Sequence, residues 1–227
     1  MNDFPDIAPV AALIGDATRA SMLMALMDGR AYTATELALF GDVTPSTASS
    51  HLARLKEGGL IKQRKQGRHR YYQIATEDIA EMLEKLMGVT SVLKESTIPR
   101  HPRNLELRYA RVCYDHLAGE IGVRLKERLV ERQFVVQQND DIEITPTGMD
   151  WCLEQGIDLE QPKTRRRPLC RPCLDWTERK MHLAGVIGAA IFNRLIALKY
   201  VRREEESRVV TLREEGRRFI EELKLQY

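Results

Sequence analysis

Two sets of side chains in this 227-residue chain have the types and spacing to do chemistry. The first is local. The stretch VTPSTASSHLARL, residues 43–55, gathers Thr44, Ser46, Thr47, Ser49, Ser50, His51 and Arg54. Between positions 62 and 70 the chain then carries Lys62, Arg64, Lys65, Arg68, His69 and Arg70 without one acid. Short hydroxyl side chains hydrogen-bond phosphates and base edges, and clustered arginine and lysine release counterions from a phosphate backbone. The second set is scattered. It comprises Cys113, Asp115 and His116 in CYDHLAG, and Cys170, Cys173, Asp175, Trp176 and His182 in CRPCLDWTERKMHLAG. Thiols and imidazoles of this kind bind soft metals, take part in redox exchange or serve as nucleophiles.

The elements that must position the first set are readable from local signals. Thr44 is a good N-cap and Pro45 fits a first helical turn, so a helix starts there and Gly58-Gly59 ends it. On that helix Ala48, Leu52 and Leu55 share one face, which leaves the hydroxyls and Arg54 on the others. Residues 60–75, LIKQRKQGRHRYYQIA, have strand character, with Gln66-Gly67 or Gly67-Arg68 at the tip of a hairpin. Three short helices come before, across residues 6–40, with Met22, Leu23, Leu26 and Met27 as core positions. A helix over 77–93 follows, with Ile79, Met82, Leu83 and Leu86 on one stripe. A helix, a turn, a second helix and a basic hairpin together form a geometry that lays one helix in a major groove and the hairpin beside it.

Bulk properties set bounds. With 43% hydrophobic residues the chain can bury a real core, and a net charge of +2 does not by itself mark a nucleic-acid binder, so the argument rests on where the charge sits. The N-terminus carries acids where a secretory signal would be basic, and the longest apolar run, LAGVIGAAIF, is half of a membrane span. A cytoplasmic protein with no membrane partner is expected. Four cysteines are too few for a disulfide framework and fit reduced thiols.

Residues 94–104, KESTIPRHPRN, read as a linker. Beyond them lies an internal repeat: HLAGEIGVRLKERLVERQFV from His116 aligns at an offset of 66 with HLAGVIGAAIFNRLIALKYV from His182. Each copy is read as a helix followed by a polar hairpin and a glycine-containing helix, and each is preceded by Cys-x-Asp. The expected architecture is mainly α with small β-hairpins (α+β). An N-terminal winged helix-turn-helix domain spans 1–95, a linker 96–104, and a C-terminal module 105–227. That module holds two helix-hairpin-helix, winged-helix-like units, at about 105–157 and 170–227.

The segment TATELALFGDVTPSTASSHLARLKEGGLIKQRKQGRHRYYQI resembles the winged helix-turn-helix of ArsR-type bacterial transcriptional regulators. The match lies in the Ser/Thr-rich recognition helix with its His-Leu pair, the Leu-x-x-x-Gly-Leu exit and the basic wing ending in Tyr-Tyr, and it covers about residues 6–95. The resemblance implies a homodimer, built through the first helix and helix 77–93, that docks on a palindromic double-stranded DNA operator and represses until a signal arrives. By position, Ser46, Thr47, Ser49, Ser50 and His51 match the base-reading segment, and Arg64, Arg68 and Arg70 match wing contacts. Thr44, Arg54 and Lys65 complete the candidate DNA-contacting set. Metal-sensing members carry cysteines where this chain has Glu36-Leu37-Ala38-Leu39-Phe40-Gly41, and helix 77–93 lacks the histidine of the family's second metal site. No metal is expected at those positions.

A signal is therefore sought in the C-terminal module, at Cys113, Asp115, His116, Cys170, Cys173, Asp175, Trp176 and His182. Three readings stay open. Zinc could sit on Cys and His, although structural sites normally show two close ligand pairs and only one CxxC, Cys170 and Cys173, is present. The thiols could be redox-active, with Arg167, Arg171 and Arg179 favouring thiolates. The third reading, ordinary burial at a repeat interface with a small-molecule effector or nothing bound, is the one composition favours. A different class of function, a thiol-dependent enzyme using the Cys/Asp/His cluster with the winged helix as an interaction module, competes with the regulator. It lacks a glycine-rich phosphate loop and an α/β scaffold, so no enzyme is expected.

Overall fold

The computed structural model describes residues 6–93, 105–139, 141–157, 159, 167–205 and 207–223, and the chain divides into two compact units, residues 1–83 and 84–227. The linker at 96–104 and residues 160–166, between the two expected repeat units, lie outside the described residues.

In the first unit, helices α1 (Ala8–Ile14), α2 (Ala17–Leu26), α3 (Ala34–Gly41) and α4 (Pro45–Glu57) accompany a three-stranded sheet of β1 (Tyr32–Thr33), β2 (Ile61–Gln66) and β3 (His69–Ile74), ordered β1-β3-β2. Side chains close the helix ends, where backbone groups would otherwise lack partners. Asp16 accepts the Arg19 N–H at the start of α2, and the Arg19 guanidinium donates to the Leu13 and Ala12 carbonyls at the end of α1. Thr33 and Glu36 form a reciprocal capping box on α3. Thr44 caps α4 by accepting the Thr47 N–H, and Pro45 fills the first turn. The core is the apolar face that the spacing indicates: Met22, Leu26, Met27, Leu37, Ala48, Leu52 and Leu55 are fully buried, and Leu23 and Leu60 nearly so. Strands β2 and β3 pair from Ile61–Ile74 out to Gln66–His69, so the tip is the two-residue turn Gly67-Arg68.

The division between units falls within α5 (Glu77–Leu93). Its expected apolar stripe needs correction. Ala80, Leu83, Glu84 and Gly88 are buried, Ile79 and Met82 are half-buried, and Leu86 is 41% exposed. The buried row is displaced by one position because Glu84 turns inward to accept from Arg208 at 2.7 Å.

After α6 (Leu105–Tyr109), the second unit runs twice through the order hairpin, helix, hairpin, helix. The first pass is β4 (Arg111–Cys113), β5 (His116–Ala118), α7 (Gly119–Glu131), β6 (Val135–Gln138), β7 (Asp141–Ile144) and α8 (Pro146–Glu154). The second is β8 (Arg171–Leu174), β9 (Met181–Ala184), α9 (Gly185–Ala197), β10 (Val201–Arg203), β11 (Val210–Leu212) and α10 (Glu214–Glu222). The leading hairpin of each pass is absent from the sequence reading, which begins a helix at His116 and His182. His-Leu-Ala is strand in both places, and the helix starts at the glycine. Gly119 and Gly185 have φ of +81° and +83°, and a Cβ there would lie 2.5 Å from the Arg108 carbonyl oxygen or 2.8 Å from that of Leu169. A side chain cannot make that strand-to-helix corner. Helix α7 packs on β9 while α9 packs on β5, and one hydrophobic core containing Ile121, Leu125, Trp151, Ile187, Ile191 and Phe219 serves both passes.

Candidate nucleic-acid interface and a buried cysteine-histidine cluster

Helix α4 presents Thr44, Ser46, Thr47, Ser49, Ser50 and Arg54 to solvent while Ala48, Leu52 and Leu55 hold it from beneath. Its hydroxyls are kept in place by the helix itself. Ser49 donates to the Pro45 carbonyl at 2.8 Å, Ser50 to that of Ser46 at 3.4 Å, and the Thr44 hydroxyl meets those of Ser46 and Thr47 at 2.9 and 3.0 Å. A hydroxyl that donates to its own backbone keeps acceptor lone pairs for an outside donor. His51 stands apart, its side chain only 18% exposed and Nδ1 lying 3.6 Å from the Asp16 carboxylate that caps α2.

On the hairpin, Lys62, Arg64, Lys65, Arg68 and Arg70 are all exposed. Helix and hairpin share a surface. A cleft of about 330 Å³ is lined by Ser49, Ala53 and Lys56 of α4, by Arg68, His69 and Arg70 of the hairpin, and by Thr33, Ala34 and Thr35 at the start of α3. The lysine and two arginines make this a place where anionic groups are favoured.

The second set of candidates sorts itself differently. Cys113 and His116 are cross-strand partners in hairpin β4-β5, and Cys173 and His182 are cross-strand partners in β8-β9. The four donor atoms all lie within 4.8 Å of one another. The two Sγ atoms are 3.9 Å apart and the two Nε2 atoms 3.1 Å apart. Each ring turns its other nitrogen to an acid: His116 Nδ1 is 3.2 Å from Asp115 Oδ1, and His182 Nδ1 is 3.5 Å from Asp175 Oδ2.

Asp175 is fully buried. It accepts from Arg111 Nη2 at 2.8 Å, the Gly119 N–H at 2.7 Å, and both the N–H and hydroxyl of Thr177. Burial, the largest single influence, would raise its pKa, but the Arg111 charge, the His182 ring and the hydrogen bonds from Thr177 and Arg111 together outweigh it and hold the carboxyl well below the ordinary range. Trp176 lies against the Arg111 guanidinium, 4.4 Å from ring centre to Cζ. Asp115 pairs with Arg167 at 2.7 Å.

The two cysteines of the one CxxC lie in different surroundings, Cys170 in the hydrophobic core and Cys173 in the cluster. Burial pushes the Cys113 thiol well up, with Cys173 beside it adding to the effect, and raises Cys170 to about 11. Arg111 is the residue that sequence reasoning missed. Its signal is its place two residues before Cys113, as Arg171 precedes Cys173.

Comparison with known proteins gives a family match. The model of bacterial regulatory proteins of the arsR family matches residues 16–63. Over 213 residues the chain is 38% identical to the uncharacterized HTH-type transcriptional regulator YdfF of Bacillus subtilis (strain 168), spanning 94% of each chain. It is 34% identical over 83 residues to the HTH-type transcriptional regulator CmtR of Mycobacterium bovis, covering 37% of this chain and 70% of that one. A solved homodimeric winged helix-turn-helix DNA-binding domain, Mb0332 of Mycobacterium bovis, is similar at 27% identity. It covers 44% of this chain and 100% of that one with a TM-score of 0.37.

Proposed function

The chain belongs to the arsR family of DNA-binding bacterial transcription regulators, and we propose that it acts in the cytoplasm as a homodimeric repressor on a palindromic operator. Residues 1–95 dock on DNA and dimerise, and residues 105–227, a duplicated winged-helix-like module with units at about 105–157 and 170–227, carry the input. The observation that carries the reading is the shared exposed surface of α4 and the β2-β3 wing, where Ser49 and Lys56 face the same cleft as Arg68 and Arg70. In this reading Ser46, Thr47, Ser49 and Ser50 meet base edges, while Arg54, Arg64, Lys65, Arg68 and Arg70 meet phosphates. Thr44 holds the end of the recognition helix, and His51 braces it against α2.

Dimerisation is supported by two apolar surfaces. Helix α1, APVAALI, buries none of its residues, and α5 leaves Val89 at 54% exposure on the same row as the exposed Leu86. The relatives are transcription regulators, so the Cys/Asp/His cluster serves a regulator and not a thiol enzyme.

Fluorescence anisotropy with a duplex from upstream of the protein's own gene tests this. The expected result is tight binding to that duplex, loss of affinity as salt rises and a stoichiometry of two chains per site. Equal affinity for an unrelated duplex of the same length overturns it.

A further inference from the structure

The cluster in the second unit brings together groups that are hard to reconcile with each other unless a cation sits among them. In each leading hairpin one cysteine and one histidine stand directly opposite across the ladder, so both side chains leave from the same face. Strands β5 and β9 are in contact, and the two faces meet. His116 Nδ1 hydrogen-bonds the Asp115 carboxylate, and His182 Nδ1 faces the Asp175 carboxylate at 3.5 Å without a hydrogen bond to it. A carboxylate facing an imidazole nitrogen places the ring proton on that nitrogen. That leaves two Nε2 lone pairs pointing at each other across 3.1 Å, with two sulfur atoms alongside, in a site where His116, His182 and Cys113 are almost wholly buried.

The spacings match a known coordination. A tetrahedral zinc with ordinary Zn–N and Zn–S bonds places its nitrogens about 3.3 Å apart and its sulfurs about 3.8 Å apart. Here the separations are 3.1 and 3.9 Å. The sulfurs are also well beyond the length of a disulfide bond, about 2.05 Å.

We propose that Cys113, His116, Cys173 and His182 form a closed tetrahedral site for one zinc ion, with Asp115 and Asp175 as the outer carboxylates that orient the histidines. Two thiolates and two imidazoles select a borderline-soft divalent ion over magnesium or calcium, which take oxygen donors. Four protein ligands leave no open position for water, so the ion joins the two passes of the second unit and does not activate a nucleophile. Each pass supplies one Cys and one His, as Cys113-x2-His116 and Cys173-x8-His182. The longer second loop keeps the pattern out of the usual two-pair signature. The site stands independently of the DNA-binding reading, since it can be assayed with no DNA present.

The test uses the full chain, purified without chelator or metal-affinity resin. Mass spectrometry of the metal content should show about one zinc per chain. Loading the stripped protein with Co²⁺ alone should give tetrahedral d–d bands together with a thiolate-to-cobalt charge-transfer band. In chelator competition, Asp115→Asn should weaken zinc binding by about 10–100-fold, and Cys173→Ser by more. A Cys152→Ala/Cys170→Ala double variant should keep both stoichiometry and spectrum. The proposal is overturned if zinc-dialysed protein carries no metal and the cobalt form lacks the charge-transfer band. Native mass spectrometry showing a Cys113–Cys173 disulfide in the freshly isolated protein overturns it as well. If Cys173→Ser fails to fold, the Asp115→Asn titration and the cobalt spectrum of the unaltered chain still decide.

Discussion

The first unit carries its polar chemistry on the outside, and the second carries it within. On α4 and the wing, hydroxyls and guanidinium groups stand in solvent over a plain apolar core, and removing any one leaves the core intact. In the second unit Arg111, Asp175, His116 and His182 are themselves buried, and Arg111 is held by hydrogen bonds to Asp175 and Thr177, more than sixty positions away. An exposed cation reaches a partner by electrostatics that water screens. A buried ion pair instead commits the fold, because either member left alone is a charge in a low-dielectric medium. One surface can therefore change its contacts without risk to the fold, whereas the other couples any change in ligation or charge to the packing of both passes.

The contrast can be broken at its strongest point by Asp175→Ala. The variant leaves Arg111 buried without its carboxylate counter-ion and removes the acceptor of the Gly119 N–H. A loss of about 3–5 kcal/mol is expected. Both tryptophans, Trp151 and Trp176, lie in this unit, so urea unfolding followed by tryptophan fluorescence in excess chelator reports on it directly. A change under 1 kcal/mol, on the order of an ordinary surface substitution, would mean that the buried pair is not what holds the hairpins.

A smaller effect tests how tightly the two passes interlock. A Cβ on Gly188 would lie 2.3 Å from the Leu183 carbonyl oxygen and 3.5 Å from the Cβ of His116. Gly188→Ala should cost about 1–3 kcal/mol through displacement of α9 from β9. The thermal midpoint measured by circular dichroism should fall accordingly, and an unchanged midpoint would show that the corner yields freely.

What the sequence made legible follows the same division. The helix-turn-helix is written in local signals: Thr44 as cap, Pro45 in the first turn, Ala48, Leu52 and Leu55 on one face, and Gly58-Gly59 at the exit all act within one or two helical turns. The repeat was also visible, as aligned HLAG segments. The leading hairpins were not, because strands as short as Arg111–Cys113 and His116–Ala118 give too few residues for a period of two to register. The metal-ligand geometry was hidden for a related reason. Its pairs are Cys-His across a ladder with loops of unequal length, and they meet through tertiary contact, whereas the sequence shows one CxxC, whose Cys170 lies in the hydrophobic core. The inward turn of Glu84 likewise depends on Arg208, far along the chain, and no local period on α5 announces it.

The smallest expected effects lie on the outer surface, where two substitutions should leave stability within about 0.5 kcal/mol and yet differ from each other. Arg68 is exposed at the tip of the wing and contributes charge. Arg68→Ala should weaken binding to every duplex alike, and should flatten the slope of log K against log salt by about 0.9 for each wing that meets a phosphate. Ser50 is exposed on α4, and its hydroxyl already donates to the Ser46 carbonyl, which leaves an acceptor for a base-edge donor. Ser50→Ala should keep the salt slope and reduce discrimination at one base position, by about 1 kcal/mol, in anisotropy titrations across single-base operator variants. The two patterns are separable because charge neutralisation does not depend on sequence and base-edge hydrogen bonding does. If both variants shift the salt slope equally and neither alters base preference, helix and wing are one undifferentiated cationic face, and the division of labour between α4 and β2-β3 fails.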